Sequence, residues 1–455
     1  MRIAIDMQGA QGSGRFRGIG RYTLALAEAL LRNNSKHEIV LVLSGLFPES
    51  LPVIHTRFER MLPKENIRVW TAPGPVDYIS GSRNTWRRQA AELVREAFIS
   101  SLQPDVVLVS SMIEGIGDNS VTSVNRLPTD AKIAAIVYDL IPLINQENYL
   151  ANPIYRQWYM GKLGHLKKAD LFLSISESSM REAIQYAQIP EEKIFNISTA
   201  ADPKFRPANL NSGIVRNFLK QIGIVKPFIF YCGGSDPRKN LPRLLSAYAA
   251  LPETLREAHQ LLLSGAIPND HISDLKNHGE KIGLKPGEME IPGYLDDESI
   301  IALYGACKCF VLPSWHEGFG LPALEAMSCG APVIGSNTSS LPEVIGNPDA
   351  LFDPFDEKSI SKKIAQVLSD EKFRKRLIKH GLEQSKKFSW DLIAKRALVA
   401  LESTVFEEKK TIIGTDETIN GLIQAVSMLH TRPEKDDLLG LATAIDFSFP
   451  EAALS

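Results

Sequence analysis

Pro313-Ser-Trp-His-Glu-Gly-Phe-Gly-Leu-Pro-Ala-Leu-Glu-Ala-Met-Ser-Cys-Gly-Ala-Pro332 is the stretch that decides the fold. Just ahead of it, Cys309-Phe-Val-Leu312 is a short apolar run, the pattern of a parallel strand buried on both faces. A polar turn follows, with Gly318 and Gly320 on either side of Phe319. Pro322 stands where a first helical turn tolerates it, and Ala323 to Ser328 continue as helix. Gly330 ends that helix, and Pro332-Val-Ile334 opens another buried strand. The order strand, loop, helix, strand places the loop at the carboxyl end of a parallel sheet, where open α/β sheets bind ligands. The loop offers backbone N–H groups and a helix N-terminus worth about half a positive charge. It also carries two carboxylates, Glu317 and Glu325, with seven residues between them. Carboxylates accept hydrogen bonds from the paired hydroxyls of a hexose or a ribose. On spacing alone the bland reading prevails: a turn glutamate and a solvated helix glutamate.

The residues around the pair reverse that. Glu317-Gly-Phe-Gly-Leu-Pro-Ala-Leu-Glu-Ala-Met-Ser-Cys-Gly-Ala-Pro-Val333 resembles the donor-sugar signature of family 4 retaining glycosyltransferases. That family has the GT-B fold, an α/β architecture of two Rossmann-like domains facing across a cleft. The resemblance implies that Glu317 touches the transferred sugar. It implies that Gly318, Phe319, Gly320 and Leu321 hold the sugar and diphosphate through their backbone, and that Glu325 binds the nucleotide ribose.

Composition is ordinary for a soluble globular protein. A chain of 455 residues is too long for one core and suits two domains plus extras. Apolar content of 44% and charge of 23% are ordinary. A net charge of −2 gives no strong pull toward nucleic acid. No stretch is apolar for long enough to span a membrane, and the opening Met-Arg-Ile-Ala-Ile-Asp reads as a strand rather than a signal peptide. Cys232, Cys307, Cys309 and Cys329 fall in or beside apolar runs, which predicts buried, reduced thiols in a cytoplasmic protein and no metal site.

The first half alternates strands with helices. Strands are expected at 2–6, 39–43, 105–109, 133–137, 170–174 and 193–198. After the first strand, Gly9-Ala-Gln-Gly-Ser-Gly-Arg-Phe-Arg-Gly-Ile-Gly20 leads into an amphipathic helix from Arg21 to Leu31. Strand, Gly-rich turn and helix N-terminus together make a phosphate cradle or, blandly, a solvated loop. The resemblance implies that Gly18 and Gly20 face the donor diphosphate, with Arg15, Arg17 and Arg21 as nearby cations, Arg17 toward the acceptor. A helix over 81–99 carries Arg83, Arg87 and Arg88, which suit a solvated face or an acidic surface. The strand at 133–137 runs into Tyr138-Asp139-Leu-Ile-Pro142, a polar group at a strand end before a Pro-marked loop. Many family members have His-Asp here. This chain has Tyr138 instead, so the resemblance assigns the reacting-sugar role to Asp139, with Tyr138 lining the acceptor. Ser176-Glu177 can cap the helix that follows, and the resemblance places Ser176 beside the acceptor.

The second half restarts the pattern at Phe228. Cys232-Gly-Gly-Ser-Asp-Pro-Arg-Lys-Asn240 follows the strand, and cations at a helix start oppose the dipole unless an anion is bound. The resemblance implies that Lys239 and Arg238 hold the donor phosphates. It implies that the backbone of Tyr294 and Leu295, in Glu288-Met-Glu-Ile-Pro-Gly-Tyr-Leu-Asp-Asp297, holds the base. Asp296-Asp297 reads as a helix cap.

These readings divide the chain into an N-terminal Rossmann-like acceptor domain (1–205) and a C-terminal nucleotide-sugar donor domain (206–387). A crossover helix (388–405) packs back on the first domain, and a helical extension or inter-module linker (406–455) follows. In the last segment Glu407-Glu-Lys-Lys410 breaks the helical pattern before two short helices at 421–429 and 438–445. The opening motif and Val137-Tyr-Asp-Leu-Ile-Pro142 resemble bacterial O-antigen polymannose mannosyltransferases. That implies transfer of mannose from GDP-mannose to a lipid-linked mannan, with α-1,2 or α-1,3 linkage and retained configuration, and without a metal or other cofactor. It also implies peripheral contact with the inner face of the cytoplasmic membrane. The tail then reads either as packed on the first domain or as a joint to a second transferase module. The rival readings are another donor such as GDP-rhamnose, a phosphorylase of the same fold, and a non-catalytic nucleotide-sugar-binding module.

Overall fold

The apolar runs of the first half pair entirely in parallel. A computed structural model describes residues 1–208, 212–405 and 415–450. Its first sheet contains β1 (Arg2–Asp6), β2 (Glu38–Ser44), β3 (Ile67–Trp70), β4 (Val106–Val109), β5 (Lys132–Val137), β6 (Leu171–Ser174) and β7 (Ile194–Asn196). The strand order is β3-β2-β1-β4-β5-β6-β7. The chain reverses its direction of travel across the sheet between β1 and β4, so their carboxyl ends form a crevice. Strand β3 went unread in the sequence because it is a four-residue edge whose Arg68 breaks the apolar run.

The second sheet contains β8 (Phe228–Cys232), β9 (Gln260–Ser264), β10 (Met289–Gly293), β11 (Cys309–Leu312), β12 (Val333–Ser336) and β13 (Leu351–Phe352). The order β10-β9-β8-β11-β12-β13 puts the equivalent crevice at the ends of β8 and β11. Solvent-shielded strands β8, β9, β11 and β12 need cover on both faces, which is why they read as continuous apolar runs.

Each sheet centres one compact unit. The first unit gathers Met1–Ile175, Ser179–Ser198 and Trp390–Ser455; the second gathers Ser176–Ser178 and Thr199–Ser389. Within the first unit, helix Trp390–Thr404 packs on helix Gly18–Asn33, with Trp390 edge-on to Tyr22 at 5.2 Å.

Several local expectations change. Helix Gly18–Asn33 begins three residues before Arg21, so Gly18 and Gly20 form its first turn rather than the loop ahead of it. A side chain at position 20 would meet the Arg15 carbonyl oxygen at 2.2 Å, so only glycine lets the turn close there. Helix Thr85–Ser101 follows a short 3-10 turn and is buried along much of its length. Its arginines are engaged internally: Arg87 pairs with Asp437, and Arg88 lies 4.5 Å from the Tyr78 ring centroid. Cys232 is half-buried rather than buried. Helix Pro153–Leu166, unread in the sequence, is capped by the Asn152 side chain, which accepts from the N–H groups of Ile154 and Tyr155.

The tail's helices are Thr415–Ser427 and Lys435–Ser448, and both lie on helix Thr85–Ser101. Leu422, Val426, Leu441 and Phe449 join the core of the first unit. The expected break at Glu407–Lys410 and the last five residues lie outside the described residues.

Candidate functional site

The crevice at β8 and β11 brings three charged groups together. The turn Pro237–Lys239 follows β8, and its N-cap Asp236 accepts the Arg238 N–H. Asn240 then adopts a left-handed conformation and donates to the carbonyls of Pro313 and Pro354, tying this turn to the loop after β11. Trp315 N–H donates to the Arg238 carbonyl at 3.0 Å. The result is that Lys239 Nζ lies 2.6 Å from Glu317 Oε1, and Arg238 Nη1 lies 2.9 Å from Glu317 Oε2. Side-chain exposures are 12% for Lys239, 20% for Arg238 and 7% for Glu317, so neither cation is a free surface charge. Burial pushes the Glu317 carboxyl up. The Lys239 and Arg238 charges outweigh that and hold it at about 2, fully ionised near neutral pH.

The loop that carries Glu317 is fixed by its neighbours. The Glu317 N–H donates to Ser339 Oγ, and Ser340 Oγ donates to the carbonyls of Glu317 and Phe319. Gly320 has φ +99°, and a Cβ there would come within 2.5 Å of Leu341 Cδ2. Helix Leu321–Ser328 starts directly after it with Pro322 in its first turn. Gly318 and Phe319 are buried, and Leu321 is half-buried.

One turn into that helix, Glu325 Oε2 accepts from the Tyr304 hydroxyl at 3.3 Å. Tyr304 is buried edge-on to Phe310 and against Phe230. Burial raises its hydroxyl's pKa, so it stays a donor toward the carboxylate. Nothing in the sequence tied Tyr304 to Glu325; the helix Asp297–Ala306 and β11 bring it there. If Glu325 holds a ribose, Tyr304→Phe should raise the donor KM about three- to tenfold with little change in kcat, the value of one ordinary hydrogen bond, since the lost bond acts on the ribose only through Glu325. Steady-state kinetics checks this; an unchanged donor KM would remove Tyr304 from the site.

The remaining donor-side residues are more open. Tyr294 follows β10 and is 71% exposed, Leu295 is half-buried, and Asp296 caps the next helix by accepting from the Ser299 N–H. Ser176 is buried and clusters with the second unit, its hydroxyl donating to the Gly318 carbonyl at 2.6 Å. It therefore supports the loop that holds Glu317. A cavity of about 530 Å³ lies beside the Pro237–Lys239 turn, with Asp236, Asn240 and Trp315 in its wall and neither Glu317 nor Glu325.

In the first unit a cavity of about 160 Å³ opens at the end of β5, lined by Ile19, Ser111, Tyr138, Asp139, Tyr155 and Tyr159 among others. Asp139 is half-buried and accepts the Ile141 N–H. The Tyr138 hydroxyl donates to the Ser110 carbonyl at 2.9 Å. Tyr159 is 1% exposed, and its hydroxyl has only a weak contact with the Leu143 backbone. Burial, then Asp139, raises its pKa and that of Tyr155. Arg17 and Gly18 are exposed at the start of helix Gly18–Asn33, and Arg15 pairs with Glu49. Among the described residues no group of three His, Cys, Asp or Glu side chains is placed to hold a metal ion.

Residues 217–384 match the family model described as Glycosyl transferases group 1. The chain is 34% identical to the serotype-specific mannosyltransferase WbdA of Escherichia coli, over 98% of this chain and 53% of that protein. It is 38% identical to the O-antigen chain mannosyltransferase B of Escherichia coli, over 53% of this chain and 63% of that protein. It thus spans about half the length of WbdA. The crystal structure of Anabaena HepE in complex with UDP and glucose superposes with a TM-score of 0.63 at 17% identity, covering 89% of this chain and 100% of that one. That likeness concerns the fold.

Proposed function

The chain belongs to the group 1 glycosyltransferases of GT-B fold, and we propose that it transfers a mannosyl residue from GDP-mannose to the end of a lipid-linked mannan. The observation that carries the transferase chemistry is the pairing of Lys239 and Arg238 with Glu317 at the β8–β11 crevice. The choice of mannose rests on the relatives' names and on the identity along the whole chain.

Lys239 and Arg238 take the diphosphate and stabilise it as it leaves. Glu317 and the backbone of Gly318–Leu321 hold the sugar, and Glu325 holds the ribose. The bond from C1 to the β-phosphate oxygen breaks, and a bond from C1 to the acceptor oxygen forms on the same face. Because the new bond forms on the face that the phosphate leaves, configuration is retained without a protein nucleophile, and the acceptor's proton goes to the departing phosphate. Charge stabilisation comes from the two side chains, so the reaction needs no divalent cation. In this reading membrane contact is peripheral; among the described residues no helix is long and apolar enough to cross a bilayer.

The acceptor's terminal sugar fits the first unit's cavity. Asp139 orients a hydroxyl, Tyr155 offers a ring face, and the Tyr159 hydroxyl bonds a second one. Tyr159→Phe should raise the acceptor KM about three- to tenfold and leave the donor KM alone. A shift in donor KM instead would move the acceptor elsewhere.

The deciding experiment is a screen of nucleotide sugars against a mannose-terminated acceptor, with products read by NMR. Transfer from GDP-mannose with an α-linkage is expected. Transfer from GDP-rhamnose or another hexose donor alone would replace the donor, and no turnover of any nucleotide sugar would leave a binding module.

A further inference from the structure

The carboxylate of Glu317 occupies both cations at once, one oxygen on each. Those are the same two groups that take the donor diphosphate in the function above, and the inference rests on that reading. We propose that Glu317 is a built-in competitor of the diphosphate, which holds Lys239 and Arg238 in the empty site and expels the nucleoside diphosphate product by returning to them.

The geometry makes the exchange local. The Glu317 backbone is held at its N–H by Ser339 and at its carbonyl by Ser340, while the Trp315 N–H ties the same loop to the Arg238 carbonyl. Only the side chain must swing, a rotamer change that is fast beside turnover. While Lys239 and Arg238 hold it, one oxygen on each, the carboxylate is ionised, so a phosphate that reaches the same two cations meets an anion already in place. Two anions competing for one pair of half-buried cations repel one another strongly.

The exchange separates substrate from product. When the intact nucleotide sugar binds, the displaced carboxylate gains sugar hydroxyls as new donors, which offset the lost ion pairs. When the sugar has left, nothing offsets them. The free nucleoside diphosphate therefore binds against an uncompensated carboxylate, and the same residue that grips the sugar weakens the hold on the product.

Titration calorimetry with GDP and with inorganic pyrophosphate tests this on the full chain, comparing wild type with Glu317→Gln and Lys239→Met. Glu317→Gln should bind both anions tighter, by about tenfold, the scale of one charged hydrogen bond, while transferring sugar more slowly. Lys239→Met should bind both more weakly. If Glu317→Gln binds equally or more weakly while Lys239→Met weakens, the competitor role is overturned and the phosphate site stands. If Lys239→Met binds like wild type, the phosphate site itself is misplaced. Glu317→Asp keeps the charge but withdraws it by one methylene. It should also bind GDP tighter than wild type, and an equal or weaker affinity overturns the proposal even if the glutamine variant folds poorly.

Discussion

Lys239→Ala is expected to slow sugar transfer about 10²- to 10³-fold, mainly in kcat, the cost of losing one preorganised group that meets charge developing in the transition state. Lys239 contacts Glu317 at 2.6 Å, and its side chain is 12% exposed. A charge so shielded from water acts on the leaving phosphate with little screening. Arg238, the second cation at Glu317, remains to meet the diphosphate, which is why activity falls and does not vanish. Lys239→Arg should recover only part, because a planar guanidinium cannot occupy the position of a compact ammonium. Added EDTA should leave the wild-type rate within about twofold, since the two cations supply the charge. A Lys239→Ala enzyme within about fivefold of wild type, or strict dependence on Mg²⁺ or Mn²⁺, would transfer leaving-group stabilisation to another group.

Much of this site was legible because its parts are local in sequence. Strand β11, the Gly318–Gly320 turn and helix Leu321–Ser328 follow one another without interruption, and each shows its own signal. The grouping of Lys239 with Glu317 was not legible. They are 78 residues apart, and only the β8–β11 pairing makes them neighbours. For the same reason nothing local marked Ser176 as the donor to the Gly318 carbonyl, 142 residues away. Helix Pro153–Leu166 was hidden differently. Its inward face is Trp158, Tyr159, Lys162, Leu163 and Leu166, a clean helical stripe except for a lysine. Lys162 belongs there because its Nζ donates to Thr122 Oγ1 and to the Thr122 carbonyl, while burial pushes it down to about 8. A pattern that counts lysine as solvent-facing misses that helix, and with it Tyr155 and Tyr159. The Asn152-Pro153 start was the one local clue.

Asp6→Ala should destabilise the first unit by about 3–5 kcal/mol, the cost of stranding a buried cation. Asp6 ends β1, and its carboxylate faces Arg95 from helix Thr85–Ser101, with side-chain exposures of 1% and 2%. Arg95 Nε donates to Asp6 Oδ2 at 2.8 Å, and its Nη1 donates to the Ser123 carbonyl. The other carboxylate oxygen accepts the Gln8 N–H, and the Gln8 side chain accepts the Val121 N–H at 2.7 Å. One carboxylate thus links the sheet, the helix and two loops at the β1–β4 crevice. Removing it leaves a guanidinium with no anion and frees the Gln8 turn that precedes Gly18. Asp6→Asn should be nearly as costly, because the amide keeps the shape but not the charge. Asp6→Leu combined with Arg95→Met should restore most of the loss, since an apolar pair of similar size carries no desolvation penalty. Urea unfolding, followed by fluorescence of the buried Trp70 and Trp86 among the other tryptophans, reads the difference as a lower midpoint. A loss under about 1 kcal/mol in Asp6→Ala would mean that water reaches Arg95 and that the pair is not a buried one. If the double variant is stable but binds acceptor poorly, the pair orders the crevice rather than the fold. That outcome is the expected one, because the Gln8–Val121 hydrogen bonds depend on Asp6 for their orientation and an apolar pair offers them nothing.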